Sequence, residues 1–473
     1  MAPAHRITDW HPDDSITWEA GNKAIARRNL IWSTATMHIA FSVWSLWSVV
    51  VLFMPQSVYG LTPGDKLLLG ATATLVGACA RIPYTVATAK FGGRNWAVFS
   101  SLILLIPTVG TLLLLAHPGR PLWMFLVCAA LTGLGGGNYS ASLANVDAFY
   151  PQRLKGFALG LCGGVGNTGV AVIQLVGLLV LSTAGNRQPY WVCAVYLVLL
   201  AVVGVGAALR MDNLDHAIEA GHIRTILAVP DTWVISALYC AAFGSFIGFV
   251  FAFAQVLHVT FEDSGQSPAQ ASLHTAQIAF VGPLLGALAR IYGGRLADRR
   301  GGGPVTMIVF GGMILAAGML VATSIHDDHT TGPVSAITVA CYIAGFIALF
   351  TLAGLGNGSV LKLIPSVFDE RSRSLLLSDA ERRSWASSHS GALIGFATAV
   401  GALGGVGINL TLRQSYATSG TDTPAFWIFL ASYFIAMALT WVMYVRRRPA
   451  APAVPAVPTT PEIALREAAY LSV

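Results

Sequence analysis

Twelve apolar runs limit what this chain can fold into more than any other feature. They lie near residues 29–53, 66–89, 96–116, 122–148, 157–182, 190–210, 231–258, 271–292, 304–325, 334–360, 386–413 and 425–446. Each is about as long as the roughly 20 residues a helix needs to cross the hydrocarbon of a bilayer. There, backbone polar groups must bond within the segment, which at this length means a helix. Composition agrees, since 55% of the 473 residues are hydrophobic and 11% charged, where a soluble domain carries about 25% charged residues. The expected class is an all-α polytopic membrane protein with twelve transmembrane helices.

The basic residues set its orientation. Of 28 Lys and Arg, only Lys66, Arg120, Arg187 and Arg413 fall on one side, Arg81 and Arg290 lie inside runs, and the rest flank the other side. By the positive-inside rule that crowded side, with both termini, is cytoplasmic. The expected location is the cell inner (plasma) membrane. The net charge of +6 is then a topology signal, and no nucleic-acid partner is expected; the partners are the lipid bilayer and a substrate, and the protein is expected to be monomeric. The N-terminal MAPAHRITDWHPDDSITWEA is too polar and acidic to read as a secretory signal. Six cysteines stand singly in different runs, so no disulfide framework, metal site or cofactor is expected. The apolar spans hold no nucleophile motif or phosphate loop, so the chain is not expected to be an enzyme.

The longest connection divides the chain. The expected parts are a cytoplasmic segment 1–28, a six-helix bundle 29–210, a cytoplasmic linker 211–230, a second bundle 231–446 and a proline-rich, disordered tail 447–473. The halves resemble each other in three places. ACARI around Arg81 aligns with ALARI around Arg290, and the same register sets Gly92-Gly93 over Gly301-Gly302. LTGLGGG from Leu131 aligns with LAGLGNG from Leu352. GFALGLCGGVGNTGVAVIQ, Gly156 to Gln174, aligns with span eleven, so that Gly156, Gly160, Gly166 and Gly169 fall on Gly391, Gly395, Gly401 and Gly404, and Gln174 on Asn409. A parallel repeat of six helices is a transporter architecture with a central site between bundles.

Within Gly156–Gln174, helical spacing puts Gly156, Gly160, Gly163, Asn167 and Gln174 on one stripe. Small-residue stripes commonly serve close helix packing, which accounts for the glycines better than for the amides. The glycines are expected to slide against neighbouring helices, with Asn167 reaching the substrate.

Charge within the spans is sparser still. Arg81 and Arg290 occupy equivalent positions, and a charge near the bilayer centre costs at least ~2.5–3.5 kcal/mol. An arginine side chain cannot discharge, so it needs an anion. Apart from Asp231, the first residue of its run, only Asp147 among the 22 Asp and Glu falls within a span, at its cytoplasmic end. An anionic substrate is the simplest partner, because a guanidinium fork pairs bidentately with planar oxyanions. Snorkelling to the membrane edge is the competing reading, stronger for Arg290. Asn138, Ser142 and Asn145 line one face of span four, Thr398 stands where Gly163 does in the repeat, and Tyr239 and Phe243 share a face that can pinch a small substrate. His38 has the chemistry to carry protons, although a packing role fits it better.

ITDWHPDD, ARIPY, NYSASLANVDAFYP, GFALGLCGGVGNTGV, LYCAAFGSFIGF, GALARIYGGRLADRRGG and GFATAVGALGG together resemble the nitrate/nitrite porter family of the major facilitator superfamily, the NarK-type transporters, over nearly the whole chain. The resemblance implies the major facilitator fold and nitrate and nitrite as substrates. It implies that Arg81 and Arg290 clamp the anion, Asn167 and Tyr239 hydrogen-bond it, and Phe243 packs against it. Gly163, Thr398, Asn138 and Asn145 are secondary candidates. Cys162 and Thr398 depart from the family pattern, which has asparagine and serine there. In the cytoplasmic loop motif Ala89 replaces the acid that Asp298 supplies in the second half. The expected function is alternating-access transport, by nitrate/nitrite antiport in the first place. Proton-coupled nitrate symport through His38 or Asp147, or a non-transporting sensor or channel, remain the alternatives.

Overall fold

The computed structural model describes residues 6–184, 188–214, 223–376 and 378–446. The expected tail, 447–473, and part of the expected linker lie outside them. Among the described residues eleven helices are long and apolar enough to cross a membrane, and two more, bent by 44° at their junction, make a twelfth crossing. We number the crossings α1 (Ser15–Trp44 continued by Leu46–Phe53), α2 (Pro63–Phe91), α3 (Gly93–Ala116), α4 (Leu122–Phe149), α5 (Phe157–Ala184) and α6 (Tyr190–Arg210). The second half comprises α7 (Pro230–Asp263), α8 (Pro268–Arg300), α9 (Gly302–His329), α10 (Ala336–Ser372), α11 (Ser388–Ser419) and α12 (Thr423–Val445).

The two helices that carry the arginines begin and end alike. Thr62-Pro63 opens α2 and Ser267-Pro268 opens α8, each with a capping box closed by Asp65 or Gln270. The hydroxyl satisfies a backbone amide that the helix leaves unpaired, and proline fits the first turn because its missing amide has no partner there anyway. Both helices stop at a glycine, Gly92 at φ 86° and ψ 147° and Gly301 at φ 85° and ψ 146°. That backbone region is open to glycine and closed to residues with a Cβ. The loops after α2 and α8 are thus the same turn, used once in each half.

Small residues bring the helices together. A side chain at Gly169 of α5 would strike the His38 carbonyl of α1, and one at Gly404 of α11 would strike the Cys240 carbonyl of α7. Gly166 meets Met37 as Gly401 meets Tyr239. The Gln174 amide donates to Ser48 Oγ at 2.7 Å, while that of Asn409 donates to the Gly248 carbonyl at 3.3 Å. The repeat therefore extends to α1 and α7, with Phe41 standing where Phe243 does. These amides are interhelical ties, which answers why the stripe ends in Gln174.

The halves close on the side away from the basic residues. There Ser272 Oγ of α8 donates to the Leu52 carbonyl at 2.6 Å, and Gly70 of α2 lies against Phe251 of α7. Toward the basic side the bundles diverge: a Cβ on Gly160 of α5, or on Gly391 or Gly395 of α11, would meet nothing within 4 Å. The N-terminal segment folds back on that side. β1 (Arg6–Ile7) pairs in parallel with β2 (Asn213–Leu214), and Trp10 packs edge-on against Phe149 at 5.3 Å.

Three buried carboxylates sit at helix ends: Asp231 is the first residue of its apolar run, and Asp212 and Asp422 lie just outside the runs. Asp212 pairs with Arg28 at 2.5 Å and Asp231 with Arg371 at 2.8 Å. Asp422, between α11 and α12, is 7% exposed and accepts from Ser324 Oγ at 2.8 Å and the Tyr342 hydroxyl at 3.3 Å. Burial pushes its carboxyl up to about 7 against those two bonds, and Asp328 and Asp327 add to the rise. As pH climbs the unfolded chain gives up this proton first, so the folded state loses relative stability between about pH 4 and the raised value. The melting temperature of Asp422→Asn, which stays neutral, should fall less than that of the wild type between about pH 5 and pH 7. An equal slope in both would show that Asp422 does not hold its proton.

Candidate functional site

The matched caps and turns of α2 and α8 carry Arg81 and Arg290 to one central place. Arg81 is fully buried. Its guanidinium carbon lies 5.7 Å from the Trp44 ring, 4.9 Å from Tyr139 and 4.8 Å from Phe243. Its Nη1 donates to the Thr398 carbonyl at 2.5 Å, whereas Nε and Nη2 meet no protein acceptor. Arg290 is partly exposed as a residue. Its Nη2 donates to the Tyr139 hydroxyl, its guanidinium carbon stands 5.5 Å from that ring, and its Nη1 is buried without a partner. Each arginine therefore bonds a neutral oxygen of the opposite bundle and turns its remaining donors inward.

Tyr239 and Phe243, both fully buried, stack at 5.3 Å with 14° between their planes. Phe243 also lies 6.4 Å from Tyr139. The Tyr239 hydroxyl sits near Tyr139 and Arg290 but closes no hydrogen bond. Asn167 is 1% exposed, and neither atom of its amide has a partner. Gly163 forms part of the wall, since a Cβ there would lie 3.7 Å from the Tyr139 hydroxyl and 3.9 Å from Arg290 Nη2.

The secondary candidates separate. Thr398 contributes its carbonyl to Arg81, while its hydroxyl bonds the Gly395 carbonyl of its own helix at 3.0 Å. Asn138, buried and without partners for its amide, directly precedes Tyr139. Asn145 is placed elsewhere: it donates to Ser33 Oγ at 2.9 Å and packs over Gly93, tying α4 to α1 and α3. His38 meets the Val165 carbonyl at 3.1 Å, a packing contact. Asp147 is not among the groups that touch either arginine.

Tyr139 and Trp44 are the residues the sequence reading passed over. Tyr139 lies inside NYSASLAN, one position from Asn138, and Trp44 lies in an apolar first span where nothing in the sequence sets it apart from packing aromatics. Only the α1-to-α7 equivalence, which sets Phe41 over Phe243 and Trp44 over Phe246, points at that aromatic wall.

Among the described residues neither arginine pairs with a carboxylate. Cation–π contacts supply about 0.5–2 kcal/mol each, well short of the cost of two buried charges. Arg81 Nε and Nη2, Arg290 Nη1 and the Tyr239 hydroxyl are unpartnered donors beside the rings of Tyr139 and Phe243, and the buried Asn167 amide, one helical turn after Gly163, is unpartnered too. Such a site suits a small planar oxyanion. Two free nitrogens on one guanidinium can pair with two oxygens of such an anion.

The Major Facilitator Superfamily model matches residues 32–378. The chain is 35% identical over 470 residues to the nitrate/nitrite transporter NarU of Salmonella typhimurium (strain LT2), covering 94% of this chain and 97% of that one. It is 34% identical over 466 residues to NarU of Escherichia coli (strain K12), with 93% and 96% covered. A probable nitrate/nitrite antiporter, NarK2 of Thermus thermophilus, is 29% identical over 460 residues, with 93% and 97% covered. The solved xylose transporter XylE of E. coli, partially occluded and inward open, superposes with a TM-score of 0.63 at 12% identity over 89% of this chain and 98% of its own. The nucleoside transporter NupG gives 0.57 at 13% over 89% and 100%. At such identities these two speak for the fold alone. Twelve crossings in two repeated bundles and relatives along nearly the full length give one conclusion: the chain belongs to the Major Facilitator Superfamily, in its nitrate/nitrite porter family.

Proposed function

We propose that this protein exchanges nitrate and nitrite across the membrane by alternating access. Arg81 and Arg290 clamp the anion, Asn167 and Tyr239 hydrogen-bond it, and Phe243 with Tyr139 covers its faces. Gly163 leaves room beside the clamp, and Thr398 holds Arg81 through its backbone. The two bundles, 29–210 and 231–446, rock about this site as a monomer in the inner membrane, with the basic side and both termini in the cytoplasm.

The observation that carries this reading is the pair of central arginines with three guanidinium nitrogens unpartnered and no carboxylate against them among the described residues. Two positive charges resist crossing the low-dielectric centre without an anion, so each passage is coupled to one. The relatives named as nitrate/nitrite transporters, one of them a probable antiporter, support the substrate and the coupling.

The test is a proteoliposome assay with pH clamped. Uptake of labelled nitrate should require nitrate or nitrite inside and ignore an imposed pH gradient. Uptake into anion-free vesicles driven by external acid would replace antiport with proton symport. Absence of nitrate counterflow would reduce the protein to a sensor.

A further inference from the structure

Tyr139 meets both arginines: Arg290 Nη2 donates to its hydroxyl, and the Arg81 guanidinium lies 4.9 Å from its ring. The two arginines are not held alike. Arg81 is tied to a backbone carbonyl, Thr398 O, which is fixed in α11. Arg290 is tied to a side-chain hydroxyl, which a small movement of the ring can withdraw. The ring is packed by Phe41 at 5.9 Å and Phe243 at 6.4 Å, so that movement is small and the hydroxyl remains within reach of Arg290.

A transporter gains nothing from a site that binds without releasing. An anion held by two arginines in a dry, aromatic-walled site faces strong charge-assisted bonds and little competing water. Removing it would leave the Arg290 donors bare, and a buried unpaired donor on a charged group is costly. A tethered acceptor avoids that state, because it takes the N–H as the anion leaves and acts at the high effective concentration of an intramolecular ligand. Gly163 leaves room beside this exchange, since even a Cβ there would lie 3.7 Å from the hydroxyl and 3.9 Å from Arg290 Nη2.

We propose that the Tyr139 hydroxyl is a built-in displacer: it competes with the anion for Arg290, lowers its affinity and speeds its release. The inference rests on the anion-transport reading above and adds to it a positioning residue that acts through Arg290. Tyr139→Phe keeps the ring and removes the competitor. Equilibrium binding of labelled nitrate to purified Y139F should be tighter than wild type by about tenfold, the low end for one hydrogen bond to a charged group. In exchange assays KM should fall with it, and the maximal rate should fall by a similar factor as release slows. Damaged packing would instead raise KM. Kd does not depend on the amount of folded protein recovered, and the nitrate-induced rise in melting temperature, expected to be larger in Y139F, gives a second readout without transport. A Kd equal to or weaker than wild type, with no larger melting shift, would overturn the displacer. A wild-type protein that neither binds nitrate nor is stabilised by it would instead overturn the anion-transport reading on which the displacer depends.

Discussion

Arg81→Lys should weaken equilibrium nitrate binding by about 30- to 150-fold while leaving the protein folded, the loss of two charge-assisted hydrogen bonds at about 2–3 kcal/mol together. Lysine keeps the positive charge, so a site that merely attracts anions would be little affected. What it loses is the planar fork. The arginine uses Nη1 on the Thr398 carbonyl and holds Nε and Nη2 toward the site, whereas a single ammonium cannot point both ways. The guanidinium plane also packs among Trp44, Tyr139 and Phe243, and a compact, strongly hydrated ammonium fits that box less well. Direct binding to detergent-purified protein, with melting temperature as the folding control, reads the effect. Near wild-type affinity in Arg81→Lys would remove bidentate recognition from the mechanism.

The glycine faces of α5 and α11 give the second large effect, with opposite outcomes along one helix. Gly404→Leu should abolish recovery of folded protein. Its side chain would enter the α7 backbone, where Cys240 Sγ and Gly244 Cα already lie 2.9 Å from the ideal Cβ. Gly160→Leu and Gly391→Leu should fold normally and bind nitrate, because a Cβ at either position meets nothing within 4 Å. Exchange by these two variants should nevertheless fall about tenfold or more. When the basic side closes, the added side chains overpack a face that must come into contact, at about 1–3 kcal/mol against that state alone. Size-exclusion recovery, nitrate Kd and exchange rate separate the classes. Full exchange activity in both variants would mean that the basic ends of α5 and α11 never meet a partner.

That contrast refines the glycine stripe. Sequence spacing puts Gly156 to Gln174 on one face, with its glycines expected to slide and Asn167 to reach the substrate. Gly160 faces the open side, Gly163 borders Tyr139 and Arg290, and Gln174 is spent on Ser48. Gly156 lies where no side-chain environment is described. The expectation that Asp147 is the only acid to weigh needed a correction of the same kind. Asp212, Asp231 and Asp422 are buried too, but at helix ends, where Arg28, Arg371 or neutral hydroxyls meet them.

The sequence by itself determined the number of crossings, the sidedness of the charges, the doubling of the bundle and the equivalence of Arg81 with Arg290. Each follows from a local or repeated property: run length against bilayer thickness, the cost of moving basic residues across, and recurrence of the same turn-forming glycines at Gly92 and Gly301. Tertiary structure alone decided that Tyr139 bridges the arginines, that Arg81 spends one nitrogen on a carbonyl of α11, that Asn145 ties helices together, and that one end of the glycine face is open while the other is packed. Helical periodicity states which residues share a face, but what that face meets depends on the approach and rotation of a second helix. For Arg81 and Arg290 the hydrogen-bond acceptors, Thr398 and Tyr139, come from the opposite half of the chain.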